Sequence, residues 1–162
     1  MNNLLFDFIP NKGNNTLTIK REFLADRAKV WDHYTKSELL EQWFASPPMH
    51  MRTKLMNFRE GGRWHYAMSE PNGPVYWGLT QYKTIRPKEE LSFSDAFCDE
   101  EGKINTDIPS ADWTITFTEE GEKTLVQSVL TFKSLADLEQ ILEMGMEDGM
   151  KSTYATLDNL LV

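Results

Sequence analysis

With 162 residues and 25 acidic against 17 basic side chains, for a net charge of -8, the chain has the size of one ordinary domain. Its charge is wrong for a nucleic-acid partner, which binds through Lys and Arg displacing counterions. The lone cysteine, Cys98, excludes an internal disulfide. No stretch approaches the ~18 apolar residues that a membrane span needs. The N-terminus has no basic start and is broken by Asp7 and Pro10, so it is not expected to act as a signal peptide and a cytoplasmic address is expected.

Residues 1–15 end in a cluster of turn formers, Pro10 to Asn15, and are expected to stand as an N-terminal extension before a single domain over 16–162. Thr16–Phe23 alternates as a half-buried strand. Asp26 is placed to cap a helix carrying Val30, Trp31 and Tyr34, and Ser37 a second over Glu38–Phe44, stopped by Ser46-Pro47-Pro48. From Thr53 to Lys133 the punctuation is that of an antiparallel meander. Lys54–Glu60 and Arg63–Ser69 flank Gly61-Gly62, and then come Val75–Ile85, Leu91–Phe97, Trp113–Phe117 and Leu125–Phe132. Leu135–Leu142 reads as a short helix. In the last helix Met146, Met150, Tyr154, Leu157 and Leu161 make one apolar stripe, with Gly149 and Thr153 beside it as small residues suited to close approach. The predicted fold class is α+β: a curved seven-stranded antiparallel sheet around a long C-terminal helix, with two short helices after the first strand.

Four segments resemble one family in the same order: Val30–Phe44, the turn Phe58-Arg59-Glu60-Gly61-Gly62-Arg63-Trp64, Phe93–Gly102, and Gly149–Leu160. The family is the AHSA type (activator of heat-shock protein ATPase homologues), within the START-like (SRPBCC) helix-grip superfamily. The resemblance covers about residues 16–162. It implies a hydrophobic cavity between sheet and helix, opening near the short helices, of the kind that holds lipids, sterols, polyketides or plant hormones in the wider superfamily. The bulky Trp common after the glycine of the last helix is Met150 here, which predicts a more adaptable end to the cavity. Arg59 is expected in a structural salt bridge.

Nine Phe, five Trp, five Tyr and eight Met supply large, adaptable contact area that serves equally to fill a core or to line a chamber. The candidate ligand-binding set is Trp43, Phe44, Phe58, Trp64, Tyr66, Met68, Trp77, Phe93, Asp95, Phe97, Met146, Met150 and Tyr154. Asp95 shares strand parity with Phe93 and Phe97, so it is the best single polar contact if that face is interior. His65, Gln81 and the Tyr66 hydroxyl are further polar candidates, although His65 is opposite in parity to Trp64 and Tyr66. His33, His50, His65 and Cys98 lack the spacing of a metal site, and no nucleophile elbow or nucleotide loop is present, so no cofactor or metal is expected. The acidic loop around Cys98 should raise its pKa. The expected function is binding of a small hydrophobic or amphipathic molecule, lipid-, polyketide- or flavonoid-like, by a monomer or homodimer. Two alternatives stay open: a chaperone-associated protein-binding module with a stress-response role, which the family name suggests, and a cyclase- or dehydratase-like enzyme using the same cavity.

Overall fold

Side chains along an extended strand alternate between faces, so strands pair in the register that makes their apolar sets continuous. In the computed structural model, which describes residues 4–45 and 47–162, this gives β1 (Phe6–Asn11), β2 (Thr16–Phe23), α1 (Arg27–Thr35), α2 (Ser37–Leu40), β3 (His50–Met56), β4 (Arg63–Ser69), β5 (Val75–Arg86), β6 (Glu90–Cys98), β7 (Ala111–Glu120), β8 (Lys123–Thr131), α3 (Leu135–Glu143) and α4 (Met146–Leu160). The strands form one antiparallel sheet in the order β1-β2-β8-β7-β6-β5-β4-β3. After β2 the chain crosses through α1 and α2 to the far edge and returns strand by strand until β8 pairs with β2.

The sheet has eight strands, not seven. Residues 6–11, expected to lie outside the sheet, pair in register with β2 from Phe6↔Arg21 to Asn11↔Thr16. Pro10 is tolerated because β1 is an edge strand, where a missing N–H breaks no inner ladder. Phe6 and Phe8 share one side of β1 and pack against the core, Phe6 with its ring 6.2 Å from that of Tyr154 on α4.

Asp26 caps α1 as expected, accepting from the Lys29 N–H at 2.8 Å. Ser37 does not cap α2: the capping position is Lys36, without a side-chain bond, and the helix is a single turn ending at Leu40. The turn that follows is held by Trp43, whose indole N–H donates to the His33 carbonyl at 2.8 Å. Ser46 lies outside the described residues. β3 starts at His50 and ends at Met56, displaced from the expected Lys54–Glu60. Gly61 and Gly62 do close the β3–β4 connection. Gly61 adopts φ +83°, and a Cβ on Gly62 would strike the Asn57 carbonyl. Arg59 forms no ion pair among the described residues.

Bulges at Thr53/Leu55 in the β3–β4 pair and Tyr82/Thr84 in the β5–β6 pair add local twist and curvature. The hollow face carries Leu17, Ile19 and Phe23 of β2, Ile115 and Phe117 of β7, and Val126 and Leu130 of β8, which join α4 residues Tyr154 and Leu157 in the core. Gly149 does not mediate close helix–sheet contact: a Cβ there would meet nothing within 4 Å.

The grip on α4 includes one charged clamp. Arg21 points from β2 into the hollow, pairs through its two terminal guanidinium nitrogens with the Asp158 carboxylate, and lies 4.8 Å from the Phe23 ring centre. A two-pronged pair between half-buried partners is worth more than a surface bridge. Arg21→Met is expected to cost about 2 kcal/mol, and a double-mutant cycle with Asp158→Asn to return a coupling of about 1–2 kcal/mol in urea unfolding. A coupling near zero would show that apolar packing alone seats the helix.

Candidate functional site

Between the hollow face and α4 lies a cavity of about 530 Å³, within the range of small-molecule sites. Its inner end is closed by Tyr34, Trp43, Ile115, Ser128 and Leu130, all buried. Its exposed lining residues, Met144, Gly145 and Gly149, gather at the α3–α4 corner. That corner forms the opening. Met68, Met146 and Met150 also line the cavity. Unbranched thioethers there let the rim adjust to guests of different shape.

Of the thirteen side chains expected as lining, eleven border the cavity: Trp43, Phe44, Trp64, Tyr66, Met68, Phe93, Asp95, Phe97, Met146, Met150 and Tyr154. Phe58 and Trp77 do not. Phe58 packs into the core, its ring centre 6.2 Å from that of Trp31 and 5.0 Å from that of Tyr82. Trp77 faces the outer side of the sheet beside His65, with ring centres 5.1 Å apart. His65 bonds there to the Asp99 carbonyl at 3.0 Å, beneath the loop that follows β6. Gln81 is exposed on the same outer side. Thus His65 and Gln81 do not reach the chamber, whereas Asp95 and Tyr66 do.

Gly78, Thr80, Tyr82, Trp113 and Tyr34 also line the cavity, and none is among the side chains expected there. The two-residue period of β5 carries the missing signal, since Gly78, Thr80 and Tyr82 share one face. Gly78 has a spatial reason as well. A Cβ there would collide with the Tyr66 ring, which lies across the β5 backbone opposite its register partner. This brings Tyr66 toward Thr80 and Asp95, themselves register partners on β5 and β6.

Asp95 is the one carboxylate in the lining. Asp95 is half-buried, and its desolvation on the chamber wall pushes its pKa up to about 7; the Trp113 side chain and the Ala111 backbone nearby pull the other way without compensating. The Trp113 indole nitrogen itself makes no hydrogen bond of ordinary geometry among the described residues. Burial also holds the hydroxyls of Tyr34, Tyr66, Tyr82 and Tyr154 well above the usual tyrosine range, so they stay neutral. The Cys98 thiol is raised too, by burial first and by Asp99 second. Cys98 ends β6 rather than lying in the acidic loop. Among the described residues no three His, Cys, Asp or Glu side chains gather to hold a metal ion, and no helix is long and apolar enough to cross a membrane.

A curved antiparallel sheet closed on one long helix, with an apolar chamber between them, is the architecture of a START-like helix-grip protein. The chain belongs to the AHSA1 family: the family described as Activator of Hsp90 ATPase homolog 1-like protein matches residues 24–162. Among solved structures it is similar to protein Ms6760 from Mycobacterium smegmatis, at 32% identity and TM-score 0.89, covering 98% of this chain and 97% of that one. A protein from Arthrobacter aurescens is 28% identical at TM-score 0.88, covering 96% and 90% of the two chains. One from Staphylococcus epidermidis is 32% identical at TM-score 0.83, covering 94% and 92%. No curated protein sequence matches.

Proposed function

We propose that the protein binds a small hydrophobic or amphipathic molecule, of lipid-, polyketide- or flavonoid-like character, in the chamber between sheet and α4. The observation that carries this reading is a cavity of about 530 Å³ left among aromatic and Met side chains. Apolar walls supply affinity through desolvation of the guest, and the few polar groups fix its orientation. Asp95, Thr80 and the tyrosine hydroxyls fill the second role.

Trp43, Trp64 and Trp113 line the chamber, so a guest should alter tryptophan emission. Naringenin, a sterol and a long-chain alcohol serve as neutral probes. At a free concentration of about 100 Kd, a guest that enters is expected to stabilise the fold by about 2.7 kcal/mol, raising Tm by roughly 5–10 °C. Failure of every probe in the panel to move either emission or Tm would overturn the reading.

A further inference from the structure

The charge distribution of the chamber narrows its guest further. Among the described residues that line it, Asp95 is the one carboxylate, and there is no Lys, Arg or His. Behind the wall, Arg21 lies beside Tyr154 and is engaged by Asp158. A carboxylate or phosphate guest would enter an apolar space with no counter-charge and one like charge. Aromatic rings surround Asp95: Tyr66 and Tyr82 from β4 and β5, Phe93 on its own strand and Trp113 on β7. Such rings favour a cation over an anion. The opening is acidic as well. Glu143, Glu147 and Asp148 flank the α3–α4 corner, and Lys151 is matched by Glu147 at 3.5 Å. A field of that sign, on a chain of net charge -8, draws cations toward the opening.

Resting on the ligand-binding reading above, we infer that the guest is a hydrophobic amine whose protonated nitrogen pairs with the Asp95 carboxylate while its apolar body fills the chamber. The amine does for Asp95 what the protein does not, supplying the counter-charge that burial withholds. The groups facing Asp95 leave it as the switch. Among the groups that share the chamber with it, Thr80 and Tyr82 on β5 and Tyr66 on β4 are neutral, as are Thr153 and Tyr154 from α4. Cys98 on β6 is held up as a thiol. Asp112 on β7 disfavours the Asp95 charge and is tied at 2.8 Å to Lys83. An alkylammonium keeps its proton up to about pH 10. Affinity for the amine therefore follows the ionised fraction of Asp95, which falls about tenfold between about pH 8 and about pH 6 for a carboxyl titrating near 7.

The test is calorimetric titration of the full chain with naphthylethylamine, naphthylethanol and naphthylacetate, three guests of one skeleton. At about pH 8 the amine is expected to bind about tenfold tighter than the alcohol, and the acid more weakly than either. At about pH 6 the amine should lose about tenfold while the alcohol changes by less than about twofold. Asp95→Asn should erase the amine's advantage, leaving amine and alcohol within about twofold of each other on that variant. An amine no tighter than the alcohol, an amine affinity flat with pH, or an advantage that survives Asp95→Asn overturns the inference and leaves the ligand-binding reading standing on the alcohol. Should Asp95→Asn fail to fold, the pH pair on the unaltered chain decides. If the alcohol and every other neutral probe also fail, the ligand-binding reading falls and takes the inference with it.

Discussion

Replacing Asp95 with Asn is expected to stabilise the folded chain by about 2–4 kcal/mol at about pH 8 and to leave stability nearly unchanged at about pH 4. The sign follows from the direction of the shift. Burial raises the carboxyl from an ordinary 3.8 to about 7 in the fold. Below about pH 4 both folded and unfolded chains hold the proton, and the group contributes no difference. Between about pH 4 and about pH 7 the unfolded chain releases it while the folded chain keeps it, so stability is lost at about 1.4 kcal/mol per pH unit. Above about pH 7 both are ionised and the full cost of a carboxylate among Phe93, Tyr66 and Trp113 is present. An amide of the same shape carries no such cost. Urea midpoints of the two proteins over a pH series would show a gap that opens between about pH 4 and about pH 7. A constant gap would mean that Asp95 stays solvated in the fold. A carboxyl that weakens the empty fold at neutral pH is what a site for a cationic guest requires, because the guest relieves that cost on binding.

Asp95 was legible in the sequence because strand parity is local: Phe93, Asp95 and Phe97 share a face however the sheet is assembled. The same parity was available in β5 and was obscured by composition. Trp77 is the bulky residue there and invites placement inside, yet Gly78, Thr80 and Tyr82 face the hollow. What makes the outer face hospitable to Trp77 and His65 is the loop after β6, whose Asp99 carbonyl meets His65. No local pattern encodes a loop folding back over a sheet. β1 was hidden for another reason. Pro10 and the turn formers after it argue against a strand on propensity, and only its place at the sheet edge removes the objection. The short helices show the opposite error. Leu39, Leu40, Trp43 and Phe44 suit a helical side, but α2 ends at Leu40 and the Trp43 indole reaches the His33 carbonyl from the turn beyond it.

Trp43→Ala is expected to remove about 3–5 kcal/mol of stability, a large part of the ~5–15 kcal/mol that folded domains have to spare. Trp43 is 2% exposed and closes the inner end of the chamber. Its ring centre lies 5.0 Å from that of Tyr34 on α1 and 5.7 Å from that of Phe44. Truncation enlarges an already open space that neighbours cannot collapse to fill, since the curved sheet and α1 hold the walls apart. It also strips the His33 carbonyl of its donor in a buried setting. Trp43→Phe separates these contributions: the ring volume is largely kept and the indole N–H is lost, so about 1–2 kcal/mol should remain as the cost of the unpaired carbonyl. Urea unfolding of the two variants, read with unchanged m-values, gives both figures. If Trp43→Ala cost less than about 1 kcal/mol, the inner wall would be held by the sheet alone and α1–α2 would be a cover rather than a structural end to the chamber. The larger loss would instead mean that the residue shaping the site also anchors the crossing from β2 to β3. Enlarging the chamber for a bulkier guest would then have to begin elsewhere, at the adaptable Met146 and Met150 of the rim.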